Sequence, residues 1–315
     1  MKIVLLDATT LGEDIDLSPL NFFGELTVYP KTAPEETVRR LAGADVVITN
    51  KVIIDRAVIQ NAPLLKLICI AATGMNNVDL AYAKEKGIEV KNVAGYSTES
   101  VVQSTFSHVL YLLCQHGYYD RYGKTEWQKS PIFTHIGPAF YELAGKRWGI
   151  IGLGTIGRRV AEVAKAFGCE VVYYSTSGKN DASDFLRLEL DDLLRTSHVV
   201  SIHAPLNDRT QHLLDYAKLQ LVRDGAVLVN VGRGGIVNEA DLAKIIDERP
   251  LYAGVDVVSK EPISPESPLL RVRHQERLSL TPHMAWTSVE ARQRLIAGIA
   301  DNIRSFVAEK KSFSV

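Results

Sequence analysis

A glycine-rich turn near the middle of the chain has the composition and surroundings of a phosphate-binding loop. It follows a strand-like run, residues 148–151, and precedes a helical pattern over residues 158–167. Its residues are Gly152, Leu153, Gly154, Thr155, Ile156 and Gly157. Such glycines permit a tight turn, a close backbone approach to a pyrophosphate and close helix packing, and the free N–H groups at the helix start attract anions. The spacing therefore predicts a dinucleotide site, and glycines that only form a turn are the competing interpretation.

The end of the next strand-like run bears on which dinucleotide binds. In NAD-binding proteins an acidic residue about 20 residues after the turn holds the adenosine ribose, and this chain has Ser175 there. Without a carboxylate the 2′-phosphate of NADP is not repelled, and residues 175–179 offer hydroxyl and ammonium donors but no arginine. The choice stays open, with a slight preference for NAD(H) and with NADP(H) as the alternative.

Three ionisable side chains further along the chain also follow strand-like runs. They are Arg233, Glu261 and His283. Ligands of open α/β sheets bind at the carboxyl ends of strands, where such residues lie. An arginine can hold a carboxylate through a fork of donors, and an imidazole backed by a carboxylate can transfer a proton. Taken singly, each residue also has an ordinary interpretation: Arg233 as a surface cation, Glu261 as a solvated loop acid and His283 as a structural histidine.

Several segments in this order resemble the D-isomer-specific 2-hydroxyacid dehydrogenase family. Besides the glycine turn they are residues 230–237, residues 254–258 with Glu261-Pro262 and Pro268-Leu269, and residues 281–286. The resemblance covers nearly the whole chain, and residues 72–79 and 95–97 are most similar to the glycerate dehydrogenase and hydroxypyruvate reductase branch. It implies hydride transfer between NAD(P)H and a small 2-oxo acid or D-2-hydroxy acid, with hydroxypyruvate or glyoxylate as substrate.

The resemblance also implies roles for the three ionisable residues. The family residue that matches Arg233 binds and polarises the 2-oxo carboxylate, the one that matches His283 donates the proton, and the one that matches Glu261 orients that histidine. Hydride delivered to a ketone carbon leaves negative charge on oxygen. A protonated imidazole beside that oxygen neutralises the charge as it develops, which contributes roughly 10²- to 10⁴-fold to the rate.

Further contacts are implied by the resemblance alone. Those expected at the cofactor are His203, Ala204, Pro205, Val231, Gly232, Asp256 and Thr105. Those expected at the substrate are the backbone of Gly74, Met75 and Asn76, and the ring of Trp286 as a pocket wall. The competing interpretations are a strand cap for His203, a buried acid bonded to backbone for Asp256, and ordinary packing for Thr105 and Trp286.

Short β-branched runs alternate with helical patterns in two series along the chain. The first series occupies residues 2–92 and the second occupies residues 147–283. This alternation predicts an α/β protein with two doubly wound parallel sheets. The expected domains are a flavodoxin-like substrate lobe, residues 1–98 plus 288–315, and a Rossmann nucleotide lobe, residues 99–287, with the active site in a cleft between them that closes about a hinge.

Three segments outside the two series carry further expectations. The pattern from Glu99 to about Tyr119 predicts one long helix, and a last helix from about Ser288 carries an apolar stripe. That stripe consists of Leu295, Ile296, Ile299, Ile303, Phe306 and Val307. Residues 127–142 are rich in aromatics, glycine and proline, which predicts a packed arm. The resemblance implies a homodimer formed through residues 99–145.

Composition limits the remaining partners. The chain has 315 residues, 46% hydrophobic and 23% charged, as in ordinary globular proteins. A net charge of −1 without basic runs gives no footprint for nucleic acid. No apolar run is long enough for a membrane span and no signal peptide is visible, so we expect a cytoplasmic location and no membrane partner. The three cysteines are widely separated, so no metal site is expected.

Two alternative functions compete with a 2-hydroxyacid dehydrogenase. A non-catalytic, nucleotide-sensing regulator on the same fold would not need Arg233, Glu261 and His283 together. The second alternative is oxidation of formate or phosphite. Formate dehydrogenases of this superfamily pair their histidine with glutamine, whereas this chain has Glu261, which argues against formate oxidation.

Overall fold

The chain folds into two compact units. The structure is a computed structural model that describes residues 1–179 and 184–312, with side chains as far as residue 309. One unit comprises Met1–Ser97 and the chain from Thr287 onward, and the other comprises Thr98–Trp286. That the first unit binds the substrate and the second unit binds the nucleotide stays a prediction.

The first unit is built on a parallel sheet of five strands. These are β1 (Lys2–Leu5), β2 (Glu25–Val28), β3 (Val46–Thr49), β4 (Leu67–Ile70) and β5 (Glu89–Lys91). Their order is β2-β1-β3-β4-β5, which is the flavodoxin-like order. The connecting helices are α1 (Ser18–Asn21), α2 (Pro34–Leu41), α3 (Arg56–Gln60) and α4 (Leu80–Glu85), and a 3-10 turn covers Ala8–Leu11. Every residue of β3 and β4 is buried, as expected of central parallel strands.

The second unit is built on a parallel sheet of seven strands. These are β6 (Arg147–Ile151), β7 (Glu170–Tyr174), β8 (Leu186–Arg187), β9 (Val199–Ile202), β10 (Val227–Asn230), β11 (Tyr252–Val255) and β12 (Leu278–Leu280). The order β12-β11-β10-β9-β6-β7-β8 is the Rossmann order extended by one strand. The prediction of two doubly wound parallel sheets is therefore confirmed. Because the strand order reverses between β6 and β9, their carboxyl ends form the crevice where ligands of this fold bind.

The helices of the second unit include two that the sequence analysis merged. They are α5 (Thr98–Leu113), α6 (His116–Thr125), α7 (Thr155–Ala166), α8 (Leu190–Thr196), α9 (Tyr216–Leu219) and α10 (Glu239–Glu248), with 3-10 turns at Trp127–Lys129, Pro268–Arg271 and Gln275–Arg277. The prediction of one helix from Glu99 to about Tyr119 was wrong. Between α5 and α6, Gln115 has a left-handed backbone with φ 54°, and its side-chain Nε2 donates to the Leu112 carbonyl at 2.9 Å. Glutamine is a good helix former, so its residue type gives no sign of this break.

The last helix, α11 (Val289–Ser312), belongs to the first unit. The predicted stripe is confirmed, because Leu295, Ile296, Ile299, Ile303 and Phe306 are buried and Val307 is half-buried. Near the helix start, Arg292 donates to the Leu11 carbonyl at 2.9 Å and to Asp14 Oδ2 at 2.9 Å. The described helices include none with both the length and the apolar character needed to cross a membrane.

The segment 127–142 is only partly packed within a single chain. His135 stacks on Tyr122 of α6 with ring centroids 3.6 Å apart, and its Nε2 lies 2.9 Å from the Tyr118 hydroxyl. Phe133 and Ile136, in contrast, are each 89% exposed. The packed arm that the sequence predicts is therefore attached to α6 through His135, while Phe133 and Ile136 are almost uncovered by the part of the chain that the structure describes.

Candidate active site

The glycine turn between β6 and α7 leaves room for a ligand at one glycine. Gly152 has φ +94°, and a Cβ there would lie 2.9 Å from the Ala204 nitrogen. At Gly157 a Cβ would lie 2.3 Å from the Gly152 carbonyl oxygen. A Cβ on Gly154, which caps α7, would meet nothing within 4 Å. The fold itself therefore requires Gly152 and Gly157, whereas Gly154 borders open space at the helix N-terminus, where a pyrophosphate fits.

A cavity of about 440 Å³ opens beside this turn. Its lining includes Gly152 and Gly154, the β7 end at Thr176 and Ser177, and the segment after β9 from His203 to Arg209. Ligand pockets typically measure about 300–1,000 Å³ and lie at this point of an α/β sheet. The residues present therefore fit a dinucleotide.

Three of the segments expected at the cofactor meet at this edge of the sheet. The Ala204 nitrogen adjoins Gly152, and a Cβ on Gly232 would lie 3.2 Å from the Ala204 carbonyl oxygen. Pro205 is exposed and lines the cavity, while Val231 is buried. In the first turn of α7, Thr155 is exposed and Ile156 packs partly against the core of the second unit. The loops after β6, β9 and β10 are thus adjacent.

His203 forms an uncharged part of the cavity wall. Its Nε2 lies 3.0 Å from the Ser201 hydroxyl, and burial lowers the pKa of the ring to about 3. The imidazole is therefore neutral at physiological pH. It lines the cavity without adding a positive charge.

The low pKa of His203 makes folding stability depend on pH. Because the folded-state pKa lies below that of the unfolded chain, the unfolded state takes up the proton first as pH falls. The contribution of His203 to the free energy of unfolding is fully present above about pH 6.5 and declines toward pH 3. At pH 5 it is smaller by about 2 kcal/mol. Urea unfolding at pH 7.5 and pH 5.0 should show that His203→Gln loses less stability between these pH values than the wild type. An equal loss in both proteins would contradict this pKa.

Arg233 lies in a loop that Asn230 fixes from the end of β10. The Asn230 amide donates to the Arg233 carbonyl at 3.0 Å, and its Oδ1 accepts from Gly232 N at 3.1 Å. The Arg233 side chain is exposed, and its Nη1 donates to the Gly232 carbonyl at 2.8 Å. Within residues 1–179 and 184–309 no carboxylate pairs with this guanidinium. Its remaining N–H groups can therefore bind the carboxylate of a ligand.

Glu261 and His283 form a carboxylate–imidazole pair. His283 Nδ1 lies 2.7 Å from Glu261 Oε2, and the two side chains are 25% and 34% exposed. The other oxygen, Glu261 Oε1, accepts from Val258 N at 3.2 Å. With a proton on Nδ1 directed at the carboxylate, Nε2 is the nitrogen that remains for a ligand. This is the arrangement of a proton-transfer pair.

Asp256, at the end of β11, positions the backbone around His283. Its carboxylate accepts from Thr281 Oγ1 at 2.6 Å, Met284 N at 2.8 Å and Ala285 N at 2.9 Å. Its carbonyl accepts from His283 N at 2.8 Å, and His283 has a left-handed backbone with φ 53°. Asp256 is 2% exposed. These contacts correspond to the interpretation of a buried acid bonded to backbone, and a position beside the nicotinamide stays a prediction.

Gly234 lets the loop that carries Glu261 pack on the loop that carries Arg233. A Cβ on Gly234 would lie 2.1 Å from the Val258 carbonyl. One residue further, Ser259 N donates to Glu239 Oε1 at 2.5 Å. Since Asp256 also holds the His283 segment, the loops after β10, β11 and β12 lie against one another at one end of the sheet. The three ionisable residues are thus carried by loops that contact one another.

Three residues expected near the cofactor or substrate are buried or half-buried in the structure. Thr105 is fully buried, and its hydroxyl donates to the Val101 carbonyl at 2.8 Å. Trp286 is half-buried against the core of the second unit. Ser175 is 4% exposed, and the cavity is lined instead by the next two residues, Thr176 and Ser177. Ligand contacts by Thr105 and Trp286 stay predictions.

The backbone expected at the substrate carboxylate belongs to the first unit. Gly74 and Met75 are half-buried and Asn76 is exposed in the loop between β4 and α4. Asn77 holds this loop, since its amide donates to the Val52 carbonyl at 2.9 Å and its own carbonyl accepts from Ile54 N at 2.7 Å. The loop is firmly positioned, and its contact with the substrate stays a prediction.

Sequence reasoning missed three polar residues of the site. Asn230 and Glu239 hold loops, and the first could have been suspected from its place at a strand end. The third, Arg209, corrects an expectation. No arginine occurs within residues 175–179, but the loop after β9 places Arg209 Nη1 at 3.4 Å from the Ser177 carbonyl oxygen.

Sequence comparison decides the family. Residues 106–285 match the profile of the D-isomer specific 2-hydroxyacid dehydrogenase, NAD binding domain. The chain belongs to the D-isomer-specific 2-hydroxyacid dehydrogenase family. It is accordingly an NAD(P)-dependent oxidoreductase of 2-hydroxy acids, and the matched profile lies within the second unit.

Relatives of this dehydrogenase extend over its full length. A hydroxypyruvate reductase of Blautia hydrogenotrophica is 35% identical over 98% of this chain and 97% of its own. A glycerate dehydrogenase of Methylorubrum extorquens is 34% identical over 98% of this chain and 97% of its own. Among solved structures, the acyclic imino acid reductase Bsp5 in complex with NADPH and D-Arg has a TM-score of 0.86 and 27% identity, with 98% of each chain covered.

Proposed function

We propose that this dehydrogenase reduces hydroxypyruvate or glyoxylate to the corresponding 2-hydroxy acid, with formation of the D-isomer at a chiral product. The observation that carries the proposal is the Glu261–His283 pair at 2.7 Å, on loops that contact the loop of Arg233. The names of the two full-length relatives, a hydroxypyruvate reductase and a glycerate dehydrogenase, support this substrate class. A non-catalytic regulator would not require this pair.

In the proposed mechanism each of the three residues has one task. Arg233 binds the substrate carboxylate through two N–H groups and thereby orients the adjoining carbonyl. His283 donates the proton on Nε2 to the carbonyl oxygen, while Glu261 holds the proton on Nδ1 and stabilises the charged imidazole. When bound, the reduced nicotinamide supplies the hydride. Backbone N–H groups of Gly74, Met75 and Asn76 complete the carboxylate site in this proposal.

Initial rates with a panel of 2-oxo acids test the proposed substrate. We expect hydroxypyruvate and glyoxylate to give a higher kcat/KM than pyruvate and bulkier 2-oxo acids, with NADH and NADPH each assayed. A preference for bulky apolar 2-oxo acids would overturn the substrate assignment and leave the reaction class in place.

Fractionation of the native cells would test the proposed cytoplasmic location.

Gly154→Ala tests the proposed pyrophosphate position without disturbing the fold. A Cβ there meets nothing within 4 Å, and the backbone φ of −83° suits alanine. The free energy of unfolding should therefore stay within about 1 kcal/mol of the wild type, while NADH and NADPH bind at least about tenfold more weakly because the methyl group occupies phosphate space. Titration of cofactor fluorescence measures this. Urea unfolding of the same variant is the control, because a fold defect would lower stability together with cofactor binding. Unchanged binding in Gly154→Ala would place the pyrophosphate elsewhere.

We also propose a homodimer formed through residues 99–145. The support is the short segment that carries Phe133 and Ile136, each 89% exposed, since clusters of exposed large apolar side chains often mark protein–protein interfaces. Light scattering should give about twice the chain mass of 34.8 kDa. The double variant Phe133→Asp, Ile136→Asp should be monomeric, whereas Phe22→Asp, at a site 86% exposed in the first unit, should remain dimeric. A monomeric wild type would contradict the proposal.

A further inference from the structure

A positively charged side chain, Arg209, lies beside the end of β7, although its loop is distant in the sequence. Arg209 follows β9, lines the cavity next to the glycine turn, and donates from Nη1 to the Ser177 carbonyl at 3.4 Å. Thr176 and Ser177 line the same cavity. In Rossmann folds the end of this strand is where the adenosine ribose of the dinucleotide lies. The ribose hydroxyls would therefore face two hydroxyl side chains and a guanidinium.

The turn that carries Arg209 is fixed locally. Arg209 N donates to Asn207 Oδ1 at 2.9 Å, and Asn207 N donates to Thr210 Oγ1 at 2.8 Å. The Thr210 hydroxyl in turn donates to the Pro205 carbonyl at 2.7 Å. The guanidinium is exposed, and no carboxylate of the described residues forms an ion pair with it. It is thus positioned at the cavity wall with donors available to an anion.

We propose that Arg209, together with the hydroxyls of Thr176 and Ser177, forms a binding site for the 2′-phosphate of NADP(H), which makes NADP(H) the preferred cofactor. The inference deepens the proposed function and rests on it. A guanidinium presents a planar fork of donors that matches a phosphate. Ser175 stands where NAD-binding proteins have the acid that would repel that phosphate.

One carboxylate near the site defines the competing outcome. Asp208 lines the same cavity and would oppose a phosphate, or accept hydrogen bonds from the ribose hydroxyls of NAD(H). In β8, Arg187 donates to the Gly178 carbonyl at 3.3 Å and is also exposed, but it does not line the cavity. Arg187 is therefore a matched control for Arg209.

Equilibrium binding separates these outcomes without any turnover. The probes are NADPH and NADH by fluorescence, and 2′,5′-ADP and 5′-ADP by calorimetry. In the wild type we expect NADPH and 2′,5′-ADP to bind roughly 10- to 100-fold more tightly than their partners that lack the phosphate. Arg209→Ala should remove most of this difference because it weakens NADPH binding much more than NADH binding, and Arg187→Ala should preserve the difference.

Two results would overturn the proposal. One is an Arg209→Ala variant whose NADPH-to-NADH affinity ratio equals that of the wild type. The other is a wild type that prefers NADH and loses this preference in Asp208→Asn, because the cavity would then hold an unphosphorylated ribose. A wild type that binds neither dinucleotide would contradict the proposed function itself, so the two failures are distinguishable.

Discussion

Replacement of His283 with asparagine is expected to lower turnover of the 2-oxo acid by roughly 10²- to 10⁴-fold, because the amide cannot transfer a proton to the developing alkoxide. Asparagine is the preferred substitute because it tolerates the left-handed backbone, φ 53°, that His283 adopts. NADH and NADPH affinities should stay close to those of the wild type. The measurements are kcat with saturating substrate and cofactor binding by fluorescence.

The control for this variant is a second histidine–carboxylate pair outside the site. His274 Nδ1 lies 3.0 Å from Glu276 Oε1 on the same unit. His274→Asn should turn over at the wild-type rate, which shows that loss of such a pair is harmless in itself. If His283→Asn retains more than a tenth of the wild-type kcat while chemistry limits the rate, His283 is not the proton donor.

Replacement of Arg233 with lysine should lower kcat/KM for the 2-oxo acid by roughly 10²-fold, the equivalent of two charge-assisted hydrogen bonds of about 1.5 kcal/mol each. Lysine keeps the charge but lacks the fork of donors that binds a carboxylate and orients the carbonyl beside it. The loss should appear in both KM and kcat, since binding and orientation are impaired together. Steady-state kinetics with hydroxypyruvate and glyoxylate measure it.

An exposed arginine with a structural partner serves as the control for Arg233. Arg273 donates to Asp247 Oδ2 at 3.2 Å on the surface of the same unit, and Arg273→Lys should leave kcat/KM unchanged. The assignment of Arg233 would be wrong if Arg233→Lys raised KM for the cofactor and not for the acid, because the guanidinium would then contact the dinucleotide.

The parts of this protein that the sequence predicts well depend on local patterns. The glycine spacing of the turn and the alternation of strand-like and helical runs lie within short windows, and the two parallel sheets follow from them. The break at Gln115 was missed because a left-handed residue can have an ordinary helix-forming side chain. Strand β8 was missed because its two residues are exposed and carry no apolar alternation.

The parts that the sequence does not predict depend on which loops become neighbours. Arg209 and Ser177 are separated by 32 positions, yet the sheet order places their loops side by side. In the same way, Glu239 accepts from Ser259 N across 20 positions. Burial is the other property that the sequence does not give. The resemblance implies a cofactor contact for Thr105, but only the packing reveals that its hydroxyl is enclosed and bonded to its own helix.

The central claim is that this chain transfers a hydride to the carbonyl of a small 2-oxo acid and forms the D-isomer. The most direct measurement is to incubate the purified protein with NADPH or NADH and hydroxypyruvate, and to quantify both cofactor oxidation and the configuration of the product by chiral chromatography. We predict D-glycerate in a one-to-one ratio to the oxidised cofactor. Binding of either cofactor without oxidation by any 2-oxo acid of the panel, or formation of the L-isomer, would contradict the account.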